Sequence, residues 1–484
     1  MHNSVRSALR QFKEHPGFAL VTVLVLGLGA GAATTVFTIV DYVVLRPLPY
    51  ETPDRLVTIW DTNVAQDLHH DPISPVNFMD QRSLPVFEDA AAWWRPGVNL
   101  IDPGMDPVRV STIEASGNLF GVLGIDPQIG PGFPVGGPLY GSDELIAVIS
   151  DRLWRSRYGA DPSIIGRPLS FNDRPYTVVG VMPPGFDYPG DIDVWQRLRW
   201  DMTQHSRRAH FMESVARLAE KTTLEQAQSA IDALTLRLQA IEDLEGGRPD
   251  EGWGSRLVPL LDEQLGYYKP ALVVLLGAVS LMLLIAVLNI ASLQLTRSLS
   301  REKEIAIRIA MGALPRQLVT QLMTESFVLS LAGAVVGALA AAAALPIIVS
   351  LTPVEIPRLA EASLDLRALG LSMGVALGAT VVFGLVPTLV LLRRRLTTKL
   401  RTGERGSTNR ARRTYSILVG AEVSLASALL VGSALLVRTV GGMLDTPAGV
   451  DAGDGVTTSV RLPRHASADW SGGAGARARV SVRV

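Results

Sequence analysis

The sequence predicts an α-helical integral membrane protein of four to five transmembrane helices, with a large α+β domain inserted between helices 1 and 2. Three observations predict it. Hydrophobic residues make up 48% of the 484 positions and charged residues only 19%, with a mean hydropathy of +0.26. Uncharged runs at Phe18 to Val40, Ala271 to Leu295, Ser326 to Thr352 and Ala368 to Leu392 each reach the roughly 20 residues that cross a hydrocarbon core. Between the first two runs, residues 46–269 have the composition of a soluble domain. The same composition excludes other classes. With no cysteine there is no disulfide scaffold, thiolate zinc site or cysteine nucleophile. With 45 Lys+Arg against 46 Asp+Glu, no global field points to nucleic acid. Seven scattered histidines, of which only His69 and His70 adjoin, give no basis for a metal or acid–base centre.

Residues 1–17 read as a cytoplasmic N-terminal helix and 18–45 as the first span. That run is too long for a signal-peptide core and ends in Asp41 to Leu45 rather than in a small-residue cleavage site, so it is expected to remain as an anchor. The further spans are expected at 270–296, 317–352, 368–392 and 414–438, the last built on Thr414 to Val437, which is uncharged apart from Glu422. For the second, the Leu, Val and Ile residues alone supply roughly −5 to −9 kcal/mol of insertion free energy. Orientation follows the basic residues. Arg6, Arg10 and Lys13 precede the first span, Arg297, Arg301, Lys303, Arg308 and Arg316 lie in the link 297–316, and nine basic residues face the single Glu404 in the linker 393–413. These segments are placed in the cytoplasm, and the acidic loop 353–367 with the domain 46–269 on the other side.

Within the domain, Val108 to Ile113, Leu145 to Ser150 and Thr177 to Met182 read as short strands. Pro168 to Tyr176 reads as a hairpin turning on Asn172 and Asp173, which tolerate positive φ. Leu224 to Ile241 reads as a helix opened by a Thr223/Gln226 capping box, with Ile231, Leu234, Leu238 and Ile241 on one buried face. Nothing assembles a catalytic set. His69-His70-Asp71 reads as a solvated loop rather than a metal site, because no third ligand has a suitable spacing. Trp93-Trp94-Arg95 reads as local core in preference to a ligand or lipid surface.

The spans read as packing devices. Gly27 and Gly31, Gly333 and Gly337, and Gly370, Gly374 and Gly378 recur at four-residue spacing, which lets helix backbones approach. The cluster Gly27 to Gly31 is no dinucleotide loop, since no strand precedes it. Few charges fall within the spans, and Asp41 and Glu422 each lie near an end where they can snorkel to the interface. A proton or ion path therefore has little support.

The stretch Ser298 to Ala313 reads as a short amphipathic helix. Arg301, Glu302, Lys303, Glu304 and Arg308 are charged, Ile305, Ile307, Ile309 and Met311 are apolar, Gly312 suits a helix C-terminus, and Pro315 can open the next helix. Lipid or another protein could hold such a helix, and the physics of the segment divides the two evenly.

The layout of one span, a large external domain, a span, a charged helix ending in Gly-Ala and two more spans resembles the MacB/FtsX-like class of ABC-transporter permeases. The segments Leu45-Arg46-Pro47-Leu48-Pro49-Tyr50, Asp54-Arg55-Leu56-Val57, Leu123-Gly124-Ile125, Val179-Gly180-Val181-Met182-Pro183 and Glu302 to Arg308 carry the likeness. In their order and spacing they resemble the duplicated orphan permease branch first noted in acidobacteria, over about residues 1 to 460. The resemblance implies that 46–269 is a MacB-like periplasmic core domain. It also implies that Arg301, Glu302, Glu304, Ile305, Arg308 and Gly312 belong to a coupling helix that contacts a cytosolic ABC ATPase. No Gly-x-x-x-x-Gly-Lys-Ser/Thr is present, and Gly403 to Thr408 lacks the lysine and the preceding strand. ATP is therefore expected on a partner and no cofactor on this chain.

In the duplicated branch, residues from 414 onward would begin a second copy. Here 439–484 turns to Ala, Gly, Arg, Ser and Val without apolar periodicity, which suggests a disordered or frameshifted tail after a truncated repeat. The expectation is a non-catalytic permease subunit of a bacterial inner-membrane export or mechanotransmission system, N-terminus in the cytoplasm. Its expected partners are the ATPase, a second permease half or a second copy, membrane lipid and a periplasmic adaptor or envelope enzyme. The alternatives are an anchored scaffold for envelope proteins, or an inactive fragment.

Overall fold

The computed structural model describes residues 16–102, 106–134, 136, 139–244, 253–266, 268–300, 311, 315–352, 358–359, 362–382 and 407–444. They form two compact units, one holding the apolar helices and one comprising Pro47–Gln264. The chain begins with α1 (Pro16–Val40), which closes in a single π-helical turn, Asp41–Leu45. Arg46 leaves the helix in an extended conformation, its N–H still bonded to the Asp41 carbonyl at 2.9 Å. The following Pro47 favours that exit, because a residue before proline is disfavoured in the α region.

The second unit runs β1 (Leu56–Asn63), β2 (Leu68–Asp71), α2 (Pro75–Arg82), β3 (Phe87–Trp94), β4 (Val98–Ile101), β5 (Val108–Val110), β6 (Thr112–Ala115), α3 (Leu119–Leu123), β7 (Ile146–Ile149), α4 (Asp151–Tyr158), β8 (Pro168–Phe171), β9 (Arg174–Val181), β10 (Val194–Arg197), β11 (Glu213–Leu218), α5 (Leu224–Leu244), β12 (Trp253–Pro259) and α6 (Leu260–Leu265). The strands form one mixed sheet in the order β12, β1, β11, β3, β6, β10, β7, β9, β8, β4, β5, with β2 also on β1. The β6/β10 and β7/β9 pairs are parallel. Alternation along β3 sends Ala91 and Trp93 into one core, with Phe120 and Trp195, and Ala90 and Ala92 into another, with Ile59, Phe78 and Ile231. A third core gathers Leu100, Trp154, Phe171 and Val178.

Several local expectations can be read against these elements. At the tip of the β8/β9 hairpin, Asn172 and Asp173 have φ of 48° and 64°. The capping box closes as two reciprocal bonds, Thr223 N–H to Gln226 Oε1 at 3.0 Å and Gln226 N–H to Thr223 Oγ1 at 3.2 Å. On α5, Ile231 is buried and Leu234 and Leu238 are half-buried. The expected strand Val108 to Ile113 is instead two strands, because the Ser111 carbonyl takes the N–H groups of Asp193 and Val194 at 2.9 and 3.1 Å. Those bonds hand the chain from its pairing with β4 to a pairing with β10. His69 to Asp71 is not a loop but part of β2, held by pairing with β1.

The first unit continues with α7 (Lys269–Ser300), α8 (Pro315–Leu351), α9 (Leu366–Thr380) and α10 (Ser407–Leu444). Pro315 opens α8 where its missing N–H has no partner to lose. Among the described residues three helices are long and apolar enough to cross a membrane, Pro16–Leu45, Lys269–Gln294 and Val319–Leu351, and the apolar helices Leu366–Thr380 and Val419–Leu435 are shorter. The expected span 368–392 is described only as far as Val382, and the expected fifth span lies inside the longer α10. Residues 1–15 and 445–484 lie outside the described residues.

Candidate functional site

Inside the helical unit, α1 is the helix around which the others gather. Leu26 packs with Val287, Ile290 and Ala291 of α7 and with Ala379 of α9. Toward α8 the contact is backbone to backbone. A Cβ placed on Gly31 would lie 2.9 Å from the Gly337 carbonyl oxygen and 3.3 Å from its Cα, and one on Gly337 would lie 2.9 Å from the Gly31 nitrogen and 3.0 Å from the Gly27 carbonyl. Gly27 faces Val336 Cγ1 at 2.8 Å, and Gly333 faces Leu26 Cδ2 at the same distance. No residue larger than glycine fits at Gly31 or Gly337 without moving a main chain. Gly29, not singled out by the sequence, faces Leu283 of α7 at 3.3 Å.

On α9 the small residues that face the bundle are not the glycines. Ala368, Ser372, Ala376 and Thr380 are buried at four-residue spacing, together with Ala379, and Ser372 Oγ lies 2.7 Å from Thr34 Oγ1 of α1. A Cβ on Gly370, Gly374 or Gly378 would meet nothing within 4 Å. The two stripes are offset by two residues, which puts them on different sides of a helix with 3.6 residues per turn.

A charged collar closes the far end of α1. Asp41 is 4% exposed. Its Oδ2 accepts from Arg46 Nε at 2.9 Å and its Oδ1 from Arg367 Nη1 at 3.2 Å. Asp41 therefore does not snorkel, as its position in the sequence suggested; two arginines satisfy it in place. Arg46 stacks on the Tyr42 ring, 3.5 Å from its centroid, and also donates to Asp365. Asp365 in turn caps α9, its Oδ1 accepting from the N–H of Arg367 at 3.0 Å and of Ala368 at 3.1 Å. The backbone N–H of Ala368, then the Arg46 guanidinium, outweigh the burial that would raise it and hold the Asp365 carboxyl below its ordinary range. Arg358 Nη1 donates to the Arg46 carbonyl at 2.9 Å, and Tyr42 Oη lies 2.8 Å from Ser363 Oγ. The Tyr42–Ser363, Arg46–Asp365, Arg358–Arg46 and Arg367–Asp41 bonds join the end of α1 to residues more than 300 positions later.

The remaining sequence candidates are placed as follows. The coupling-helix residues Arg301, Glu302, Glu304, Ile305, Arg308 and Gly312 lie outside the described residues. Trp93 is 2% exposed and edge-on to Tyr188, while Trp94 is half-buried and donates from Nε1 to Glu114 at 3.0 Å. His69 pairs with Asp67 at 3.1 Å, and among the described residues no group of three or more His, Asp or Glu is placed to hold a metal ion.

Comparison with known proteins adds two domain matches in chain order. The family model for the MacB-like periplasmic core domain matches residues 19–234, and that for the FtsX-like permease C-terminal region matches residues 276–396. The macrolide export ATP-binding/permease protein MacB of Neisseria gonorrhoeae is 22% identical over 244 residues, which cover 50% of this chain and 36% of that protein. The pyoverdine export ATP-binding/permease protein PvdT of Pseudomonas fluorescens is 27% identical over 197 residues, covering 40% and 29%. The chain thus spans about a third of the length of the curated relatives it matches. Among solved structures, the periplasmic region of MacB from Actinobacillus actinomycetemcomitans covers 44% of this chain and 92% of its own, with 12% identity and a TM-score of 0.33. A MacB-like periplasmic core domain followed by an FtsX-like permease region, matched in that order on a chain of apolar helices, places this protein among the MacB/FtsX-like ABC transporter permeases of the bacterial inner membrane.

Proposed function

We propose that this chain is a non-catalytic permease subunit that passes movement between a cytosolic ATPase and its external domain. The observation that carries the reading is the way α1 is held. Backbone contact with α8 along Gly27 to Gly31, together with the collar around Asp41 and Arg46, leaves α1 little freedom to slide or rotate independently of α8 and α9. In chain order α1 leads directly into the external domain, and α8 is preceded by the charged segment 301–312. A push on that segment would then reach the chain entering the domain through rigid packing. The sparse charge inside the spans suits mechanical transmission better than a polar path for cargo.

In this reading Arg301, Glu302, Glu304, Ile305, Arg308 and Gly312 form the face that meets the ATPase, residues 46–269 lie in the periplasm and the N-terminus in the cytoplasm. A second permease half or a second copy of the chain completes the assembly, and the export titles of the relatives point to outward movement of cargo. Because the natural chain has no cysteine, Leu145→Cys and Ala306→Cys can each be tested with an impermeant maleimide on whole cells and on inverted vesicles. Leu145→Cys should label from outside and Ala306→Cys from inside. Labelling of both from one side would end the proposal. Capture of an ATPase by the full chain, lost in Arg308→Glu and in Glu304→Arg, is the second requirement. Retention in both variants would remove the coupling face.

A further inference from the structure

A second polar cluster belongs to the Pro47–Gln264 unit. Beside it is an open groove lined in part by Asp61, Gln81, Arg207, His210, Trp253 and Ser255. His210 sits at its centre, its ring stacked on Trp253 with centroids 4.2 Å apart at 17°. Its Nδ1 faces oxygen acceptors only, the Pro72 carbonyl at 3.1 Å, Asp61 Oδ2 at 3.2 Å and Asp71 Oδ2 at 3.7 Å. That nitrogen must therefore carry a proton, and Nε2 decides whether the ring is charged. Asp61, 2% exposed, has its other oxygen tied to Ser255 Oγ at 2.8 Å, and Ser255 takes the Gln81 amide at 2.9 Å. Asp61 Oδ2 has no well-aligned donor, so its tie to His210 is one of charge.

The elements joined at this point share one end of the sheet. Asp61 is on β1, Trp253 and Ser255 on β12, and β1 and β12 pair from Val57↔Pro259 to Asn63↔Trp253. Asp71 ends β2, and Ile73 bridges Met212 just after His210. The other charged groups around the cluster are Arg207 and Asp80 of α2, which pair with each other at 2.7 Å. From α5 come Leu234, Thr235, Leu238 and Gln239, and from β12 Trp253 and Ser255, none of which titrates.

We infer that His210 is a proton-operated latch: charged, it holds the Pro72 segment and the Trp253 end of β12 to Asp61, and neutral, it releases them. When the ring loses its charge, two carboxylates remain around a single neutral N–H, and a charge-assisted contact is replaced by a weaker neutral one. Burial pulls the His210 pKa down, but the adjacent Asp61 carboxylate, then the Pro72 carbonyl and Asp71, outweigh it, so the value rises above the ordinary 6.5. For a raised value the sign is fixed. The latch is fully closed below the unfolded pKa near 6.5 and opens as pH climbs through the folded one.

The test is hydrogen exchange on the full chain in lipid nanodiscs, expressed as protection relative to an unstructured peptide at the same pH. Protection of residues 68–73 and 253–259 should fall several-fold between about pH 5.5 and about pH 8.5, while that of β7 to β9 stays level. In His210→Gln the fall should vanish. In Asp71→Asn, a half-exposed position, its midpoint should move to lower pH, which keeps the test decisive if His210→Gln fails to fold. A level profile in the unaltered chain, a fall that survives His210→Gln, or an unmoved midpoint in Asp71→Asn would each overturn the latch.

Discussion

The helical unit and the external unit are held together by opposite means. In the first, the closest contacts are made by what is missing: glycines on α1 and α8 bring main chains together, and small buried residues line one side of α9. In the second, large side chains fill three cores, with Trp93, Trp195, Phe78 and Phe171 all below about one part in forty exposed. The reason is the solvent each unit faces. Water drives apolar bulk inward, whereas lipid gives no such drive, so close packing and a few polar ties have to supply the specificity. The same substitution should therefore act in opposite directions in the two units: removing volume hurts the external domain, and adding it hurts the bundle.

The largest effect is expected where volume is removed from the external domain. Trp195 is fully buried, touches Phe120 and Phe186 at centroid distances of 6.1 and 5.3 Å, and donates from Nε1 to the Tyr188 carbonyl at 2.8 Å. Trp195→Ala should cost about 3–5 kcal/mol, read as a lower thermal midpoint of the external domain in the full chain. Next comes added volume in the bundle. Gly31→Val, with its first carbon 2.9 Å from a main-chain oxygen, should cost about 1–3 kcal/mol, read as loss of monodisperse protein on heating in detergent. Gly374→Val, on the side of α9 that meets nothing within 4 Å, should behave like the unaltered chain. Equal damage from the two valines would mean that the glycine spacing, not the contact, matters, and the contrast between the units would fail.

The charged collar sharpens the contrast, because there the bundle relies on charged ties. Asp41→Asn takes a carboxylate from Arg367 and one of two from Arg46, which keeps Asp365, at a position 4% exposed, and should cost about 1–3 kcal/mol. If the tie is direct, adding Arg367→Gln should cost less than the sum of the two single changes. Strict additivity would show that Arg367, which is 64% exposed, is a bystander.

How much of this was legible follows the range of each interaction. The three long apolar helices could be read because hydropathy is summed over a continuous run, and the capping box because Thr223 and Gln226 are three residues apart. Four-residue spacing of small residues is equally visible on α1, α8 and α9, yet nothing in it separates the glycines that meet another helix from Gly370, Gly374 and Gly378. Gly and Ala stripes on α9 both suit a close approach, and only the partner's position selects between them. The collar was out of reach because Arg46 and Asp365 lie 319 positions apart, and Asp41 taken alone reads as an interfacial charge. His210 was missed for the same reason: Asp61, Asp71, Trp253 and Ser255 come from three strands, and no local motif announces their meeting.

The smallest expected effect tests the local end of that range. Thr223→Ala removes the hydroxyl that accepts the Gln226 N–H at 3.2 Å, at an exposed helix start where water can partly replace it. The loss should be about 1 kcal/mol, seen as faster exchange in the first turn of α5 with little change in the sheet. Gln226→Ala should cost a comparable amount, since its Oε1 accepts the Thr223 N–H in return. Because the two bonds close one reciprocal motif, the double variant should lose less than the two singles added together. Spread of the effect into β12, where Gln228 Oε1 accepts the Leu257 N–H at 2.9 Å, would show that even this local device is tied to the sheet. The line drawn here between short-range and assembled features would then have to move inward by one turn of helix.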